Sequence, residues 1–136
     1  QARQSRDMIA DFIDELLEKY PIDATKVSLI GFSQGCILSY AVALSYPTKV
    51  SKVVAMSGYL NLEMAIEGFE KKDFSGLKIF ASHGTVDQVI PVEWARKTPQ
   101  LLENFGIDVV YKEYPIGHGV SPQNFFDFRK WLVENK

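Results

Sequence analysis

The sequence predicts an α/β fold, a mostly parallel sheet with helices on both faces, and two observations carry that reading. Four short β-rich runs, at 26–31, 52–56, 77–82 and 108–114, alternate with segments of helical spacing, which is the pattern of successive βαβ units. The first run also passes straight into a helix pattern through Gly31-Phe32-Ser33-Gln34-Gly35. Such a junction demands a tight turn at the strand end.

Each element has its own justification. From Met8 to Tyr20, the residues Met8, Ile9, Phe12, Ile13, Leu16, Leu17 and Tyr20 recur in steps of three and four opposite Asp7, Asp11, Asp14, Glu15 and Glu18. This predicts a surface helix with one core face, stopped by Pro21. Lys26–Gly31 reads as a buried strand, and Gln34–Tyr46 returns to helical spacing through Ile37, Leu38, Tyr40, Ala41 and Leu44 before Pro47. Lys52–Met56 is the next strand, followed by a Gly- and Asn-containing stretch to Gly76 and a strand at Leu77–Ser82. A helix from Val92 to Phe105 contains Pro99, so a kink or two shorter pieces are expected. Asp108–Tyr114 carries Lys112 and Glu113, as suits a strand nearer the sheet edge. Ser121-Pro122 makes an N-cap and first-turn pair for a last helix whose apolar face is Phe125, Phe128, Trp131 and Leu132.

Composition narrows the classes. With 136 residues, 46% hydrophobic and 24% charged, the chain has the balance of one globular domain. A net charge of -2 with both signs interspersed predicts no nucleic-acid partner. The single cysteine, Cys36, excludes an internal disulfide and a cysteine-rich metal site and fits a reducing compartment such as the cytoplasm. Apolar runs such as Val53–Met56 are too short to cross a bilayer, so no integral membrane association is expected.

The chemistry lies at the strand ends. A random chain of this length holds the bare G-x-S-x-G pattern roughly one time in twenty, so position matters more than the letters. Between strand and helix, a strained turn would lift the Ser33 hydroxyl above the sheet, the glycines on either side would remove clashing side chains, and the Gln34 amide could donate to an oxyanion. A serine nucleophile needs a base, and the base needs an acid. His118 follows the fourth strand and Asp87 the third, in the order serine, acid, histidine. His83 stands too close to Asp87 in the chain to be the base and is expected to hold the acid's loop by hydrogen bonds. Asp73, Asp108 and Glu113 are rival acids in poorer places. Cys36, one helical turn after Ser33, reads as a buried small residue.

With these residues in hand, the chain resembles the phospholipase/carboxylesterase family of α/β-hydrolases, which includes acyl-protein thioesterases and small bacterial carboxylesterases. The resemblance covers the whole chain and rests on Gly31-Phe32-Ser33-Gln34-Gly35, Ser57-Gly58-Tyr59-Leu60, His83-Gly84-Thr85-Val86-Asp87 with Val89-Ile90-Pro91, and Gly117-His118. It implies the α/β-hydrolase fold, with Ser33, Asp87 and His118 as the triad of an esterase or thioesterase using no metal or cofactor. Its substrates would be acyl esters, lysophospholipids or acylated cysteines.

The sequence departs from the family at Cys36, where a second glycine is common, and at Thr85 and Gln88, where an aspartate and a proline are frequent. Family members also have strands ahead of the first helix and a loop that supplies a second oxyanion amide. Residues 1–136 are thus expected to be the C-terminal catalytic part of a single domain, neither stable nor fully active alone. The stretch from Tyr59 to Phe74, Leu60 included, is a candidate lid or acyl-chain wall. Apolar residues at the site mouth could serve substrate binding, lipid approach or a homodimer. A peptidase or dienelactone hydrolase of the same fold, or a non-catalytic hydrolase-fold binding module, are the alternatives.

Overall fold

The computed structural model describes residues 1–136. The elements run α1 (Ala2–Lys19), β1 (Ser28–Phe32), α2 (Gln34–Ser45), β2 (Lys52–Met56), β3 (Lys78–Gly84), α3 (Val92–Arg96), α4 (Thr98–Asn104), β4 (Asp108–Tyr114) and α5 (Pro122–Glu134). Two single-turn 3₁₀ helices, Leu62–Met64 and Phe69–Lys71, lie between β2 and β3. The four strands form one parallel sheet in the order β1-β2-β3-β4. Gly31, Ala55, Ala81 and Tyr111 stand side by side in its register.

Alternation along the strands divides the core. Val53, Ala55, Ile79 and Ala81 turn to one face and join Tyr40, Val42, Leu44, Leu102 and Ile13 in the main cluster. Val54, Met56 and Phe80 turn to the other and meet Phe128 and Trp131 of α5. Buried side chains of this size each contribute about 1.5–3 kcal/mol relative to exposure, so the two faces require helices on both sides. That is the arrangement predicted.

Two elements, α1 and β1, differ from the sequence reading. Helix α1 begins at Ala2 rather than Met8, and its buried residues are Arg6, Ala10 and Ile13, while Met8, Phe12 and Tyr20 are exposed. Arg6 is only 5% exposed because its guanidinium donates to the Met64 carbonyl at 2.8 Å and pairs with Asp7 at 2.8 Å. A charged side chain can occupy a core-facing position when its donors are satisfied.

Strand β1 is not buried as expected. It pairs only with β2, and Ile30 (56% exposed) and Phe32 (39%) face outward on the side of the sheet that bears α5. The 92–105 helix divides into α3 and α4, with Pro99 in the first turn of α4. Proline removes the amide an unbroken helix would use there. At the other edge, β4 pairs only with β3, and Ser121 Oγ accepts from the Asn124 amide at 3.1 Å as the predicted cap of α5.

Candidate active site

The site begins with a strained residue. Ser33 links β1 to α2 at φ 57° and ψ -117°, a conformation costing about 1–3 kcal/mol that persists only when neighbours enforce it. The Ser33 amide donates to the Met56 carbonyl at 2.8 Å, and the Ser33 carbonyl accepts from the Cys36 amide at 3.0 Å. Gly31 allows the turn to close, since a Cβ there would lie 2.3 Å from the Gly35 carbonyl oxygen and 2.6 Å from Ser39 Oγ. Gly35 differs from the expectation: a Cβ there would meet nothing within 4 Å. Only the first of the two glycines is sterically required by this chain.

Asp87 is held from several sides beyond β3. Its side chain is fully buried, and Oδ1 accepts from the amides of Val89 (2.8 Å) and Ile90 (2.9 Å). Burial pushes the carboxyl's pKa up, but the Ile90 and Val89 amides and His118 outweigh it and hold the pKa below the ordinary 3.8. The acid is therefore ionised at neutral pH. His118, on the loop beyond β4, lies with Nδ1 2.7 Å from Asp87 Oδ2 and Nε2 3.0 Å from Ser33 Oγ. The Phe32 ring flanks the imidazole at a centroid distance of 4.9 Å.

The loops that bear Asp87 and His118 are stitched to each other. Thr85 donates to the Tyr114 carbonyl at 2.8 Å and Val86 to the Ile116 carbonyl at 3.1 Å. Ser33, His118 and Asp87 thus form one continuous line of hydrogen bonds across three strand ends. An ionised carboxylate accepts from Nδ1–H, which leaves Nε2 bare and aimed at the hydroxyl. Such a line can move a proton from a nucleophile to a base and stabilise the imidazolium that results. Gln34 is the first residue of α2, and a helix leaves its first amides without internal acceptors, beside the positive end of its dipole.

The remaining candidates fall elsewhere. Leu60, named as a substrate contact, is 7% exposed, belongs to the main core, and has its amide bonded to Thr98 Oγ1 at 3.1 Å. Its neighbour Tyr59 instead lines a groove with Gln34, Ile37, Leu38, Asn61 and Met64. Most of the proposed lid is core packing: Leu60, Ala65, Phe69 and Phe74 are buried, and Leu62 and Ile66 pack against them. Glu113 is paired with Arg96 at 2.8 Å, Asp73 accepts from the Ser75 amide at 2.9 Å, and Asp108 opens β4, exposed. The rival acids stand apart from His118. Cys36 is buried, and burial drives its thiol far above its ordinary pKa.

Sequence reasoning placed Ser57 in a family stretch without foreseeing its conformation. With Ser33 it is one of the two non-glycine residues at positive φ, here 60°. It is buried, its amide donates to the Ser82 carbonyl at 2.9 Å, and its Oγ is 3.5 Å from the Gly119 carbonyl oxygen. The signal was present in Gly58, where a Cβ would come within 2.7 Å of Cys36 Sγ. The missing side chain of Gly58 thus makes room for Cys36 on α2.

A parallel sheet with helices on both faces, and a hydroxyl, an imidazole and a carboxylate aligned at the ends of β1, β4 and β3, has the architecture of the α/β-hydrolase fold. Residues 1–135 match the family model described as Phospholipase/Carboxylesterase, and the chain belongs to that family. It is 29% identical over 131 residues to acyl-protein thioesterase 1 of Debaryomyces hansenii, covering 95% of this chain and 56% of that protein. It is likewise 29% identical over 114 residues to a probable carboxylesterase, SOBER1-like, of Arabidopsis thaliana, covering 83% of this chain and 44% of the relative. Among solved structures, the Bacillus cereus carboxylesterase superposes with a TM-score of 0.85 at 19% identity, over 96% of this chain and 60% of that one. Arabidopsis thaliana SOBER1 gives 0.82 at 23%, over 98% and 64%. The chain thus spans about half to two thirds of the lengths of these proteins. No helix is long and apolar enough to cross a membrane.

Proposed function

We propose that this chain carries the catalytic machinery of a serine hydrolase that cleaves carboxylic acyl esters, with thioesters and lysophospholipids as further substrates. The observation that carries the reading is the line from Ser33 Oγ through His118 to Asp87, with contacts of 3.0 and 2.7 Å. His118 Nε2 takes the Ser33 proton as Oγ attacks the acyl carbon. Asp87 holds the tautomer and offsets the imidazolium charge. The Gln34 amide donates to the oxyanion, and His118 returns the proton to the departing alcohol or thiol. Water, activated by the same imidazole, then releases the acid from Ser33.

The groove beside Gln34 supports an apolar acyl group, because Ile37, Leu38 and Met64 line it with Tyr59. The names of the relatives, acyl-protein thioesterase and probable carboxylesterase, support cleavage of acyl thioesters and acyl esters. We further propose that residues 1–136 act as the C-terminal part of one hydrolase domain. Upstream strands would extend the sheet from β1 and supply a second oxyanion amide. Three features support this: β1 has one strand partner, Ile30 and Phe32 are exposed, and open space lies beside Gly35.

The test is intact mass after treatment with a fluorophosphonate. A single adduct that vanishes in Ser33→Ala is expected, on a parent chain heavier than residues 1–136. A folded full-length protein that takes no adduct would sink the hydrolase reading and leave a binding module in its place.

A further inference from the structure

Of the two histidines, the proposed mechanism uses one. The other, His83, is buried at the penultimate position of β3. Its Nε2 lies 2.8 Å from the Ile90 carbonyl oxygen. A carbonyl only accepts, so this nitrogen carries the hydrogen and donates it. The same Nε2 is 3.4 Å from Asp87 Oδ2, the oxygen that accepts from His118 Nδ1. The Ile90 amide in turn donates to Asp87 Oδ1. His83, Ile90 and Asp87 therefore close a circuit, with one N–H of His83 at its base.

We propose that His83 is a positioning residue for the acid. It anchors Ile90 by its carbonyl, so that the amide on the other side of the same α-carbon meets Oδ1, and its N–H lies beside Oδ2 without bonding to it. The carboxylate plane is thereby held in line with His118. His83 Nδ1 is buried without any hydrogen-bond partner. An apolar side chain of similar size would fill the space without leaving that polar atom unsatisfied. The cost is explained if the residue is kept for its other nitrogen. The inference rests on the reading of Ser33, His118 and Asp87 as a triad.

The experiment measures the rate of fluorophosphonate inactivation in the intact protein, alongside thermal unfolding, for His83→Leu, His83→Gln and His83→Asn. A glutamine amide nitrogen reaches the place of Nε2, whereas that of asparagine reaches only the place of Nδ1. The expected result is a loss of about 10- to 100-fold in His83→Leu and His83→Asn, the scale of a small misplacement in a reacting assembly, with most of the rate restored in His83→Gln. In an Asp87→Asn background, His83→Leu should then slow the reaction no further, because both changes act on the same group. If His83→Leu does not fold, the contrast between Gln and Asn decides. Equal rates for those two, or a wild-type rate in a folded His83→Leu, would overturn the positioning role alone. A folded wild-type protein that does not react overturns the triad, and this inference with it.

Discussion

A Cβ at Gly84 would stand 2.2 Å from the carbonyl oxygen of Gly117 and 2.3 Å from that of Ile116. The acid's loop and the base's loop thus meet backbone to backbone, and the bare α-carbon of Gly84 sets their separation. Gly84→Ala should force the loops apart. Overpacking of this kind costs about 1–3 kcal/mol or more, and a 1 Å shift of a reacting group can cost about 10²-fold in rate. Ester hydrolysis and chemical denaturation measured on the same sample should both fall; an active, fully stable variant would show that the loops are not fixed by this contact.

Asp87→Asn should lower the turnover number by several orders of magnitude with little change in fold. In serine-protease triads the equivalent exchange costs about 10⁴-fold, because the amide favours the wrong imidazole tautomer. Steady-state kinetics on an activated ester would reveal it. A loss of less than tenfold would argue that another group serves as acid.

The same carboxyl predicts a pH dependence of stability. Its folded pKa lies below the ordinary 3.8, so the stability it contributes is present above the unfolded pKa and is lost as pH falls through the folded one. The gap in unfolding free energy between wild type and Asp87→Asn should be constant from neutral pH down to about pH 5 and narrow below that. Denaturant titrations across the acid range provide the check. A gap that stays fixed there would mean that the folded protein does not favour the ionised form.

The parts of this architecture that were legible in the sequence are those set by local chemistry. Ser33 between a β-rich run and a helical one, and Ser121-Pro122 ahead of Phe125 and Phe128, each declare a junction within a few residues. The unbroken apolar run Val53–Met56 and the charges in Asp108–Tyr114 likewise distinguish an inner strand from an edge. What escaped depends on distant partners. Arg6 is buried because a carbonyl 58 residues away accepts its hydrogen bond, and Phe12 is exposed although it keeps the spacing of a core face. Leu60 and Tyr59 are adjacent in the chain, yet one packs into the core and the other lines the groove. No local pattern ranks such neighbours.

Arg6 itself yields a prediction. Together with Ser45, whose Oγ accepts from the Ile66 amide at 2.8 Å, it ties the segment after β2 to the helices beneath. Arg6→Ala leaves the Met64 carbonyl without its partner and should cost about 1–3 kcal/mol. Hydrogen exchange should rise first at 59–74. A uniform rise across the whole chain would indicate global destabilisation instead.

Two phenylalanines calibrate the face under α5. Phe80 is fully enclosed between Val54 and Trp131, while Phe126 is exposed on the outer side of the helix. Phe80→Ala should cost about 3–5 kcal/mol and Phe126→Ala no more than about 0.5 kcal/mol. Paired denaturation curves test both, and a large loss at Phe126 would mean that something covers it in solution.

The order of the strands has a consequence for how this chain can diversify. Because each strand lies beside the next in sequence, residues 57–77 leave the sheet at the end of β2 beside Ser33, return to it at the opposite end through Lys78, and contribute none of Ser33, Asp87 or His118. Leu60, Phe69 and Phe74 root that segment in the core, whereas Tyr59, Asn61 and Met64 look into the groove. Exchanging the outward positions while keeping the roots alters what the groove admits and spares the proton path. The 57–77 wall of the groove and the Ser33–His118–Asp87 line thus lie on separate stretches of the polypeptide, so that the wall can be exchanged while the line is kept.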